Sequence, residues 1–167
     1  IRKICFTAFM SCLSFILSTF VSFPFVVPFQ HFCNVICAVL AGPFYAFLSA
    51  LFTGLMRMLL TGRPVTAVIG AVIGAFLAGL LYQVSKKMFL AVVGEVIGTG
   101  LLSALVSYYA MRYGFGVALD SPFYYIPLFF PASVVGSVLG YIVLLTMKRS
   151  GSLTRVQQML CRDGGGT

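Results

Sequence analysis

The sequence predicts an all-α polytopic membrane protein, a compact bundle of six transmembrane helices. Three observations carry that expectation. Of 167 residues, 60% are hydrophobic and only 8% charged, with a mean hydropathy of +1.07. A soluble domain carries about 25% charged residues, so this chain cannot cover a water-facing surface and its solvent must mostly be lipid. Apolar runs fill nearly the whole chain, most of them near the roughly 20 residues that a spanning helix needs. The eleven Lys and Arg, against three acids for a net charge of +8, cluster between those runs. In a soluble protein that excess would point to nucleic acid. Here it follows the positive-inside rule, and no nucleic-acid partner is expected.

Helix 1 is expected from about Ile4 to Ser22. It is long and enters a Pro-rich loop without a small-x-small cleavage site, so it reads as a span and not as a removable signal. It carries Thr7-x-x-x-Ser11, Ala8-x-x-x-Cys12 and a Ser14, Ser18, Ser22 ladder. Two small-residue faces exceed the needs of a bundle. One of them can dock another membrane protein, which makes Thr7, Ala8, Ser11 and Cys12 candidate docking residues. The connection Phe23 to Phe29 is too apolar for a free loop and should fold down as a lid. Helix 2, about Gln30 to Ala41, is too short to span upright. The Gly42-Pro43 break ends it, unless it fuses with helix 3 as one kinked segment. Helix 3 is expected from about Phe44 to Leu60, helix 4 from Val65 to Val84, helix 5 from Met88 to Tyr113 and helix 6 from Phe123 to Met147.

Charge placement decides the count. Six spans put Arg2, Lys3, Lys86, Lys87, Lys148, Arg149, Arg155 and Arg162 on one side, and Arg57, Arg63 and Arg112 near the other. That bias favours a multi-pass cell-membrane protein with both termini in the cytoplasm. Gly114 to Pro122 reads as a flexible outer connector. Residues 1–150 form the membrane domain on this reading, and 151–167 a polar, partly disordered cytoplasmic tail.

The stretch Val27 to Tyr45 holds Gln30, His31 and Asn34 at the mouth of an apolar run. Three uncharged hydrogen-bonding side chains there suit capture of a small polar molecule. Glu95 is the only acid inside an expected span, and such a carboxylate is a functional candidate by default. It lies about 10 Å along helix 5 from Met88, at 1.5 Å per residue. That is below mid-membrane, whereas the Gln30-His31-Asn34 group starts near the top, so the two are expected at different heights. Arg57 either snorkels to the outer interface or turns inward to a ligand or acid. Tyr124 and Tyr125 open helix 6, as belt residues or as ligand contacts. Gly70-x-x-x-Gly74, with Ala78 and Gly79, serves close helix packing. Gly94, Gly98 and Gly100 around Thr99 thin helix 5, without the strand and GK[ST] of a phosphate loop.

Cys33 and Cys37 could share a helix face, but His31 is the only histidine, so small apolar core residues are the better reading. No metal and no other cofactor is expected. HExxH and paired carboxylates are missing, so an enzyme is not expected either.

Three stretches then carry a resemblance: PFQHFCNVICAVLAGPFYA (Pro28 to Ala46), GAVIGAFLAGLLY (Gly70 to Tyr82) and GEVIGTG (Gly94 to Gly100). With six short helices, an apolar first outer loop and small residues on helix 1, they resemble the ThiW-type substrate-binding S component of energy-coupling factor (ECF) vitamin transporters. The likeness covers about Pro28 to Ser107. Met58 and Thr61-Gly62-Arg63-Pro64 depart from the family's Asn and GTG-like turn, Ile69-Gly70-Ala71 from its Pro-Gly-Ser, and Cys12 from its alanine. The resemblance implies capture of the thiamine precursor hydroxyethylthiazole from outside. Gln30, His31, Asn34, Arg57, Glu95, Thr99 and Tyr125 are the candidate substrate-binding residues. It further implies docking through helix 1 onto a transmembrane coupling protein driven by two cytoplasmic ATPases, followed by toppling in the membrane. The chain has no Walker motif, so ATP hydrolysis would fall to those partners. Another thiamine-related or small vitamin ligand, a small intramembrane enzyme and an assembly factor remain the alternatives.

Overall fold

The structure is a computed structural model that describes residues 1–21 and 27–161. Among these residues every regular element is helical: α1 (Arg2–Phe20), α2 (Pro28–Ala41), α3 (Pro43–Thr61), α4 (Thr66–Ser85), α5 (Met88–Gly114), α6 (Ile126–Arg149) and α7 (Ser152–Cys161). Helices α1, α3, α4, α5 and α6 are long and apolar enough to cross a membrane, and α2, at 14 residues, is a shorter apolar helix. Large apolar side chains such as Phe9, Ile16, Phe52, Phe76, Phe89, Val106, Val135 and Ile142 stay exposed around the bundle. In a membrane protein such residues meet acyl chains.

Helix α2 is the axis of the molecule. Twelve of its 14 residues are buried, and it packs against every other helix. A helix that is apolar nearly all round belongs inside. Being enclosed by protein, it has no need to match the bilayer thickness. Pro28 occupies its first turn, where a missing N–H costs nothing. Gly42, at φ 95°, then reverses the chain and Pro43 starts α3, so the two helices are separate elements.

One end of the bundle gathers Arg2, Lys3, Lys86 and α7. Arg2 Nη1 donates to Met159 O at 3.2 Å, and Lys3, Ala41, Gly42, Lys86 and Gln157 line one shared hollow. We call this the basic end. The expected tail therefore contains a helix: Ser152–Cys161 packs across the basic end with Leu153 and Leu160 buried. Its Gln157 Nε2 donates to Val39 O at 2.9 Å and to Tyr82 Oη at 3.0 Å. The usual helical donor to the Val39 carbonyl would be residue 43, which is a proline without an N–H, so the glutamine stands in for it. At the opposite end, Arg112 bonds Tyr108 Oη at 2.9 Å and the Leu119 carbonyl, tying down the connector after α5. Of the expected lid, residues 22–26 lie outside the described residues.

Candidate ligand cavity

The site is built at the start of α2. Because α2 is short and deep, heights counted from the basic end agree. Asn34 lies seven residues above Ala41 and Glu95 seven above Met88, each about 10 Å at 1.5 Å per residue; His31 is one turn higher. The expected mismatch in depth does not exist. It assumed that helix 2 begins at the outer membrane surface.

The three side chains meet. His31 Nδ1 lies 2.8 Å from Glu95 Oε1, Asn34 Nδ2 donates to the same oxygen at 2.9 Å, and Thr99 Oγ1 donates to it at 3.1 Å. Asn34 also donates to Ala71 O at 3.3 Å. Glu95 is fully buried, so a carboxylate there needs such donors. With Nδ1 carrying a proton toward Glu95, a neutral His31 presents Nε2 as an acceptor.

Two glycines make room for this cluster. A Cβ on Gly74 of α4 would overlap Thr99 Oγ1 and come within 3.1 Å of Glu95 Oε1. A Cβ on Gly136 of α6 would overlap Pro28 O and approach His31 Cβ at 2.9 Å. Just above Glu95, α5 widens into a π-helical stretch, Gly98–Ser103, that carries Thr99. Such insertions recur at functional sites.

Above the cluster opens a cavity of about 290 Å³. Five of the seven candidate binding residues, Gln30, His31, Arg57, Thr99 and Tyr125, line it; Asn34 and Glu95 sit behind His31. Arg57 turns inward. It is 6% exposed and its Nη1 bonds Gln30 Oε1. Burial, with Tyr124 beside it, raises the Tyr125 phenol above its ordinary value, so it stays a neutral hydroxyl.

Sequence reasoning missed several lining residues. Arg63, Thr66, Leu128, Phe129 and Ala132 also face the cavity. Tyr125, Leu128, Phe129 and Ala132 fall at i, i+3, i+4 and i+7, one helical stripe, but the spacing alone does not tell a cavity wall from a lipid-facing surface. In the sequence Arg63 reads only as a topology charge. Gly62, in the left-handed region at φ 65°, turns the chain so that Arg63 N bonds Arg57 O at 3.4 Å.

The four docking candidates on α1 divide. Thr7 and Ser11 are buried: Thr7 Oγ1 bonds Lys3 O at 2.7 Å, and Ser11 Oγ bonds Thr7 O at 2.8 Å and reaches Ser49 Oγ at 3.4 Å. Their face packs into the bundle, as hydroxyls do when lipid offers no partner. Ala8 and Cys12 stay exposed. Cys33 and Cys37 are buried free thiols in the core.

These features define a class first: a multi-pass helical membrane protein with a small-molecule-sized cavity over a buried polar floor. The family described as thiamine-precursor transporter protein (ThiW) matches residues 4–150, and the chain belongs to that family. No curated protein and no solved structure matches it.

Proposed function

We propose that this chain is the substrate-binding S component of an ECF-type uptake transporter and that its cavity captures hydroxyethylthiazole. One observation carries the reading: the His31–Glu95 contact, with Asn34 and Thr99 on the same oxygen, forms the polar floor of a cavity walled by Leu128, Phe129 and Ala132. Ligand sites are mostly apolar with a few placed polar groups. An apolar ring with one hydroxyl suits such a cavity. The hydroxyl donates to His31 Nε2, and Tyr125 or Gln30 donates to the ring nitrogen. The charge bias supports an orientation with the basic end in the cytoplasm and the cavity facing out. Ala8 and Cys12 present the face for a transmembrane coupling protein served by two cytoplasmic ATPases.

Calorimetric titration of hydroxyethylthiazole into the purified chain tests this reading. Saturable one-to-one binding is expected. No heat and no thermal stabilisation at millimolar ligand would sink it.

A second reading has one observation in its favour. A buried His31–Glu95 pair also suits acid–base chemistry. The hydroxyls lining the cavity are Thr66, Thr99 and Tyr125, and Thr99 is engaged by Glu95 itself. The described residues therefore offer the pair no serine or thiol in the cavity lining. Recovery of the ligand unchanged after prolonged incubation with the protein separates binding from turnover.

A further inference from the structure

We propose that the ligand reaches this cavity in anionic form, as a phosphate monoester or a carboxylate, and that Arg57 and Arg63 hold its charge. The inference rests on the reading of this cavity as the binding site and goes on to the chemical class of what binds there.

The mouth of the cavity is built from donors. Arg57 is 6% exposed, and its protein partner is the neutral Gln30 Oε1. A guanidinium carries five N–H donors and no acceptor, so one amide oxygen leaves most of them unused. The acids do not compensate it. Glu95 is fully buried and bonds His31, Asn34 and Thr99. Asp120 is exposed and is not among the residues lining the cavity, and Asp163 lies outside the described residues.

A second, independent feature points the same way. Gln30 is 3% exposed, lines the cavity, and its Nε2 has no hydrogen-bond partner among the described residues. Its orientation is fixed, because the oxygen must face Arg57. The amide N–H groups therefore also await an acceptor. Arg63 adds another guanidinium to the lining, positioned by the left-handed Gly62.

Two guanidiniums and an amide donor thus line one cavity with no negative group among the described residues of its lining. A buried positive charge without a counter-ion is costly, and more so within a bilayer. A single ligand hydroxyl offers two lone pairs, too few for this donor set. A phosphate monoester or carboxylate offers two or three charged oxygens and matches the planar guanidinium fork. With the anion at the mouth, the thiazole ring is the end that lies over the floor at His31, and the hydroxyl-to-His31 pairing belongs to the neutral alcohol alone.

The test compares four probes by calorimetric titration: hydroxyethylthiazole, its phosphate monoester, thiazole acetic acid and inorganic phosphate. At least one anionic thiazole should bind about tenfold or more tighter than the alcohol, an increment typical of a charge-assisted pair. That preference should shrink in Arg63→Gln, an exposed position whose change spares the fold, and vanish in Arg57→Gln. Inorganic phosphate, which fills the same anion subsite, should weaken the ester and the carboxylate by the same factor and leave the neutral alcohol less affected; the ester-to-acid affinity ratio names the anion. Equal or tighter binding of the neutral alcohol, or an anion preference untouched by both substitutions, overturns this inference and leaves the proposed function standing. If no thiazole compound binds the wild type, the proposed function fails with it.

Discussion

His31 Nδ1 and Glu95 Oε1 stand 2.8 Å apart although 64 positions separate them in the chain. The contact joins the central helix to the helix with the π-helical stretch, and it forms the floor of the cavity. Its energetic weight follows from enclosure. Glu95 is fully buried and three side chains share its one oxygen.

Glu95→Ala should therefore weaken ligand binding at least as much as His31→Ala, because it strands three donors at once. Each orphaned group costs about 1–3 kcal/mol, so a loss of roughly tenfold to a hundredfold is expected for His31→Ala and more for Glu95→Ala. Glu95→Gln keeps an accepting oxygen and should sit between wild type and Ala. Titration of the three variants checks the order. Wild-type affinity in Glu95→Ala would remove the floor from the site.

Gly74→Ala should disturb the cluster without removing a polar group from it. Its methyl would overlap Thr99 Oγ1, and overpacking of this kind costs about 1–3 kcal/mol. Gly114→Ala is the control, since nothing lies within 4 Å of its Cβ position and its φ is not positive. Thermal unfolding in detergent should separate the two; equal midpoints would mean that α4 and α5 have slack to spare.

On α1 the substitutions should divide as the faces do. Ala8→Leu and Cys12→Leu, both exposed, should abolish co-purification with a coupling protein while ligand affinity holds. Ser11→Leu, buried against Ser49, should instead lower the thermal midpoint. Transport that survives both outward changes would place docking elsewhere.

Topology is open to direct labelling. In a cysteine-free background, Arg63→Cys should react with an impermeant maleimide from outside and Lys86→Cys only after permeabilisation. Same-side reaction would overturn an orientation in which the cavity and the basic end lie on opposite faces.

The helices were legible because lipid leaves composition little freedom. The sequence placed the apolar runs, the Gly42-Pro43 break and the inward polar residues of α2 where the structure has them. The heights were not legible. Membrane position was judged from each helix's own start, and the burial of α2 on every side, which lets it begin deep, is a tertiary fact. Helix α7 was hidden by the polarity of residues 151–167, where Leu153, Val156 and Leu160, at i, i+3 and i+7, form the one short apolar stripe. At the cavity, Gln30, His31 and Arg57 stood out by their chemistry. Phe129 and Leu128 did not, because a ligand wall and a lipid-facing surface are made of the same residues in a bilayer.

The bond from Gln157 to the Val39 carbonyl has a consequence for traffic. Pro43 deprives the last turn of α2 of a donor, and α7 answers by bolting itself across that end. Between bolt and cavity lie Val35, Cys37, Ala38 and Leu144, each wholly enclosed. Among the described residues the molecule is a cup and not a pipe. For a ligand seated on His31 as proposed, these enclosed side chains bar the way to the basic end, so delivery to the far side would require that the vessel itself be turned or its base unlatched.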